Sequence, residues 1–144
     1  MARDVLLAIE IHKEPKVVFD TVTSAEGLAS FWTSDVESVG GSGGRLTFGF
    51  PSAPTRLPVT VTHADAPSAV GWSFGGDWPF WDGTTGGWSF EPSEHGTKVT
   101  FRHDGFADEM PEFDAGSIAL TWALVVNRLK QVVESDGASK PALG

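Results

Sequence analysis

Four side chains have types and positions suited to proton transfer: His103, His63, Asp77 and Asp82. His103 lies in "TKVTFRHDGF", in phase with Val99 and Phe101, so on a strand it points to the apolar side. An imidazole there is placed to act as acid or base near neutral pH. If the protein is an enzyme, His103 is its catalytic candidate. A buried neutral histidine is equally suited to being a satisfied structural group. His63, in "VTVTHA", is in phase with Val59 and Val61 and is expected to face the same interior. His12 is out of phase with its strand's apolar face and His95 sits in the turn "SEHG", so both read as solvated. No histidine pair stands at close ligand spacing with a carboxylate, and no metal is expected. Asp77 and Asp82 flank "WPFW" in a loop, where aspartate commonly forms turns; at the mouth of an aromatic pocket such a residue is a candidate base. There is no triad, carboxylate pair or phosphate loop, and no cofactor is expected.

Composition narrows the chemistry further. The chain of 144 residues has 6 tryptophans and 10 phenylalanines but no tyrosine and no cysteine. Phenol, thiolate and disulfide chemistry are therefore excluded. A net charge of -9 argues against binding a phosphate backbone, so no nucleic-acid partner is expected. The opening "MARDVLLAIEIH" carries charges within its apolar run and has no small-residue cleavage site, so it reads as a strand and not a signal peptide. No segment approaches the about 20 apolar residues of a membrane span. A cytoplasmic protein is the expectation.

The elements that must position these side chains are legible as periodicities. Val5, Leu7, Ile9 and Ile11 share one face of a first strand. "KEPKVVFDTVT" predicts a helix with Pro15 in its first turn, and "TSAEGLASFW" a second with Ser24 as its cap. Strands follow at "DVESV", "RLTFGF", "VTVTHA", "AVGWSF", "GWSFEP" and "TKVTFRHDGF". Turn signals about every eight to twelve residues indicate an antiparallel sheet with one apolar face. A long helix is expected near Asp114 to Ser135, with Ile118, Trp122, Val125, Leu129 and Val133 on its stripe and Leu120, Leu124 and Val126 widening it. Residues 1–136 read as one domain and 137–144 as a disordered tail.

"VLLAIEIHKEPKVVFDTVTSAEGLASFWT" resembles the opening of the START-like (SRPBCC), helix-grip superfamily. "HGTKVTFRHDGF" and "TWALVVNRLKQVVE" are similar to the penultimate strand and closing helix of one branch. That branch includes proteins similar to the C-terminal domain of the heat-shock-protein-90 ATPase activator. The resemblance implies an α+β fold, a curved antiparallel sheet of about seven strands around a long C-terminal helix. The functions it implies are diverse: lipid and hormone carriers, polyketide cyclases, dehydratases and co-chaperone domains.

Within such a fold the aromatic residues converge on the space between sheet and helix. Trp32, Phe48, Phe50, Trp72, Phe74, Trp88, Phe90, Phe101 and Trp122 either fill a core or wall a ligand cavity, and Ile118 and Val125 face them from the helix. Counting in twos from Phe74 carries Trp78 and Phe80 onto the inner face and sends Trp81 outward. Gly75-Gly76 and Gly86-Gly87 look like hinges, so the segment between them is expected to cover the cavity mouth. The favoured reading is a binder of a small hydrophobic or aromatic molecule, with His103, His63 and Asp77 for polar specificity. The alternatives are a cyclase- or dehydratase-type enzyme and a protein-interaction module with a chaperone contact, its outer patch drawn from Trp81, Phe106 and Phe113. A homodimer fits all three.

Overall fold

In the computed structural model, residues 4–39, 44–50, 55–76, 78, 80–107 and 109–135 are described. Strand β1 (Val5–Ile11) leads into helices α1 (Pro15–Thr23) and α2 (Ala25–Phe31). Six strands follow: β2 (Asp35–Val39), β3 (Arg45–Gly49), β4 (Leu57–Asp65), β5 (Ala69–Phe74), β6 (Thr85–Ser93) and β7 (Gly96–Asp104). The last element is α3 (Glu112–Glu134). The strands make one antiparallel sheet in the order β1-β7-β6-β5-β4-β3-β2. The class is the expected α+β helix grip.

Local chemistry explains the helix pair. Pro15 opens α1, where its fixed φ is helical and its missing N–H is not needed. Ser24 caps α2 by accepting from the Gly27 amide at 3.0 Å. A Cβ on Gly27 would strike the backbone of Thr21, so only glycine lets α2 turn back so closely on α1. That turn delivers Trp32, just after α2, into the interior.

Helix α3 starts earlier than the expected Asp114 cap, with Pro111 in the capping position. It buries Trp122, Val125, Val126, Leu129, Val132 and Val133. Leu120 and Leu124 do not widen this stripe; they are 64% and 55% exposed. At about 100° per residue they lie about 160° and 200° from Trp122, on the far side. The helix's C-terminal turn is tied to the end of β1. Lys130 Nζ donates to the Glu10 carbonyl at 2.7 Å and to Glu134 at 2.6 Å, and Glu134 accepts from the His12 amide at 2.9 Å. Among the described residues no helix is long and apolar enough to cross a membrane. The tail 137–144 lies outside the described residues.

Candidate functional site

The inner face of the sheet is a wall of rings. Trp72 on β5, Trp88 on β6 and Phe101 on β7 are buried side by side, with Phe48, Phe74 and Phe90 around them. From the helices, Trp32 stands 4.2 Å from Phe48 and 5.0 Å from Trp122, ring centre to ring centre, and Trp122 stands 4.3 Å from Phe101. Val125, one turn on from Trp122, is fully buried. These distances are those of direct aromatic contact, so the rings meet one another across the sheet–helix space.

His103 lies inside this wall with 0% exposure. Trp122 Nε1, which can only donate, donates to Nδ1 at 3.0 Å. The neutral ring therefore carries its proton on Nε2, which donates to Thr84 Oγ1 at 2.8 Å; that hydroxyl donates in turn to the Trp81 carbonyl at 2.6 Å. Phe74, Trp81 and Phe106 surround the imidazole at 4.3 to 4.6 Å. Burial among them pushes its pKa down to about 3. Both nitrogens are engaged, so none is free to move a substrate proton. Gly86 makes the arrangement possible, because a Cβ there would meet the Phe74 ring at 2.8 Å.

The segment after β5 departs from the expected alternation. The Trp81 amide donates to the Trp78 carbonyl at 3.2 Å and the Gly83 amide to the Phe74 carbonyl at 3.1 Å, so the chain turns instead of extending. Trp81 consequently faces inward, 9% exposed, and Phe80, at φ 70°, is 39% exposed. Trp81 and Phe106, at 9% and 8%, thus leave the expected outer patch, whereas Phe113 is 85% exposed. Gly86-Gly87 are not a hinge but part of β6. Asp77 lies outside the described residues, and Asp82 is an exposed turn residue.

His63 is the second correction. Val61 pairs with Trp72 but His63 pairs with Gly71, so β4 carries one extra residue, Thr62. Such a bulge shifts the phase of everything after it. His63 therefore lies exposed on the outer face, over Gly71.

One end of the sheet–helix space has a mouth-like geometry. Five rings form a closed circuit: Trp32 to Phe50 at 5.8 Å, Phe50 to Trp78 at 5.1 Å, Trp78 to Trp81 at 5.4 Å, Trp81 to Trp122 at 5.9 Å, and Trp122 back to Trp32. Trp32, Trp81 and Trp122 are buried; Phe50 and Trp78 are half-buried, as is Ile118 one turn before Trp122. Phe74 lies beneath, 5.2 Å from Trp81. The circuit's inclusion of Trp81 depends on the turn after Phe74, which no alternation rule foresees.

The family described as Activator of Hsp90 ATPase homolog 1-like protein matches residues 13–134. The chain belongs to this family. Its fold is shared by the Aha1 dimer of Colwellia psychrerythraea, solved in solution, at 26% identity and TM-score 0.80 over 91% of this chain and 96% of that one. An AHSA1-like protein from Aeromonas hydrophila aligns at 21% identity and TM-score 0.66, covering 93% and 94%. DynU16, a protein of the dynemicin biosynthetic locus, aligns at 18% identity and TM-score 0.76, covering 99% of this chain and 50% of that one. No curated protein matches the sequence. The match to the family begins at Lys13 and ends at Glu134, so it contains both α1–α2 and α3, the elements that close the aromatic wall.

Proposed function

We propose that this protein binds a small hydrophobic or aromatic molecule at the mouth formed by Phe50, Trp78 and Ile118. The observation that carries the reading is the circuit of five rings whose outer members are half-buried while its inner members are buried. An apolar guest that parts Phe50 from Trp78 meets the rings of Trp32 and Trp122 next. Trp88 Nε1, buried without an acceptor among the described residues, offers a donor deeper in the wall to a carbonyl or ether oxygen. Phe80, two residues on in the chain and 39% exposed, adds a second accessible ring to this segment. Titration with N-phenyl-1-naphthylamine, read by tryptophan quenching, tests the site. Saturable quenching is expected, and Trp78→Ala with Phe80→Ala should weaken it roughly tenfold or more while far-UV circular dichroism stays unchanged. Equal affinity in the double variant would sink the assignment.

A second reading is self-association through α3. Phe113, Leu120 and Leu124, all exposed, lie along one side of the helix, and a related protein of this fold is a dimer.

A further inference from the structure

The outer face of the sheet, turned away from α3, carries a trough of about 410 Å³. One row of the strand register explains it. Across four strands the paired residues run His63, Gly71, Gly87, Arg102. With glycine at both middle places, nothing rises from the backbone between the imidazole and the arginine. The neighbouring rows are low as well, with Thr85 and Ser73 on one side and Ser89 and Ala69 on the other.

The two glycines differ in what they explain. A Cβ on Gly71 would collide with the His63 ring and come within 2.6 Å of Thr62 Oγ1, so Gly71 is required for His63 to lie down. A Cβ on Gly87 would meet nothing nearer than Arg102 Cγ at 3.7 Å. No packing among the described residues requires glycine there. Glycine weakens a strand, and inside one it marks a bulge or a place where a ligand approaches the backbone. The bulge itself lies on β4 and turns Thr62 and His63 together onto this face, as bulges beside binding sites do.

The polar groups define a ligand. Arg102 Nε is 3.2 Å from Asp104 Oδ2, leaving its remaining N–H groups without an acceptor among the described residues. Asp104 Oδ1 is buried and likewise has no partner among them. The part of the Asp104 carboxylate that the trough can reach is Oδ2, whose second lone pair lies beside the remaining Arg102 donors, so a donor and an acceptor stand side by side at one end of the floor. The guanidinium and carboxylate offset one another, and a protein of net charge -9 repels anions. The complementary edge is an adjacent C=O and N–H on an uncharged ring.

We propose that this trough binds a planar, uncharged heteroaromatic molecule with a cyclic-amide edge. The edge meets Arg102 and Asp104, and the ring lies on the backbone of Gly71 and Gly87, with His63 as the opposite wall. Phe50, Trp78, Trp81 and Ile118 do not line the trough.

The probe is 2-quinolinone, titrated into ¹⁵N-labelled protein and followed by amide shifts. Saturable shifts at Gly71, Gly87 and Asp104 are expected, with a Kd of about 1 mM or tighter for so small a molecule. N-methyl-2-quinolinone, which lacks the donor, should bind at least about fivefold more weakly. Gly87→Ala adds a Cβ to the floor without a clash, and Gly87→Val fills more of it; the valine should abolish the shifts in a protein whose circular dichroism shows it folded. Trp78→Ala with Phe80→Ala should leave them unchanged, which separates this site from the mouth. Shifts confined to Trp78 and its neighbours, equal binding of the methylated probe, or undiminished binding by folded Gly87→Val would each overturn the proposal.

Discussion

At His103 the interior holds an ionisable ring in a place made for an uncharged one. The unfolded imidazole takes its proton near 6.5, the buried one only near 3. Between those values the unfolded chain binds a proton that the native state refuses, so stability falls as pH falls. The contribution is complete above pH 6.5 and is lost progressively below it. From pH 7 to 5 the loss amounts to about 2 kcal/mol. Glu10, lowered by its bond from Ser93, and Glu134, lowered by its bond from Lys130, act in the same direction only below their ordinary value of 4.5. Melting temperatures at pH 7 and pH 5 measure the effect. His103→Gln should be less stable at pH 7 by about 1–3 kcal/mol, because it disturbs bonds to Trp122 and Thr84. It should also lose most of the slope between the two pH values; an unchanged slope would assign the acid lability to other groups.

At the scale of elements, close approach decides against propensity. Helix propensity alone says Gly27→Ala in α2 stabilises by about 1 kcal/mol. The backbone of Thr21 occupies the place its Cβ needs, so the expected result is a loss of about 1–3 kcal/mol in urea unfolding. A gain would mean that α1 and α2 part easily. The strands were legible because period two survives in short runs: Trp72 and Phe74, and Val99, Phe101 and His103, face inward as their alternation requires. The failures share a cause. At Thr62 one added residue inverts the phase, and nothing in "VTVTHA" marks it. After Phe74 the chain turns, so counting misplaces Trp81 and Phe80. Leu120 and Leu124 leave the stripe for another reason: their angle to Trp122 puts them on the far side of the helix, whatever their apolar type. The aromatic wall was therefore readable, but the circuit at its mouth, which needs that turn, was not. The outer trough is not legible in the sequence because its defining residues are glycines, whose meaning lies in which neighbours their bare faces confront.

Taken whole, the molecule is a single-layer sheet with one face sealed by helices and the other open. The sealed face leaves α3 with an apolar stripe turned outward. If two copies join there, sedimentation of the wild type should show a dimer at micromolar concentration, and Leu120→Ser with Leu124→Ser should give a monomer of nearly unchanged melting temperature. A monomeric wild type would remove that reading. The clasp of Lys130 and Glu134 on the end of β1 has a different consequence, for the chain as it is made. The first strand pairs with the seventh, and the helix that latches it is the last element of the described chain. A ribosome therefore releases the meander β2–β7 with only α1 and α2 made to cover its rings, and the part of the wall that meets Trp122 stays bare until α3 exists. Folding must finish after synthesis of α3, and until then the nascent chain presents the cell with a broad greasy sheet that shielding by other proteins would protect from clumping.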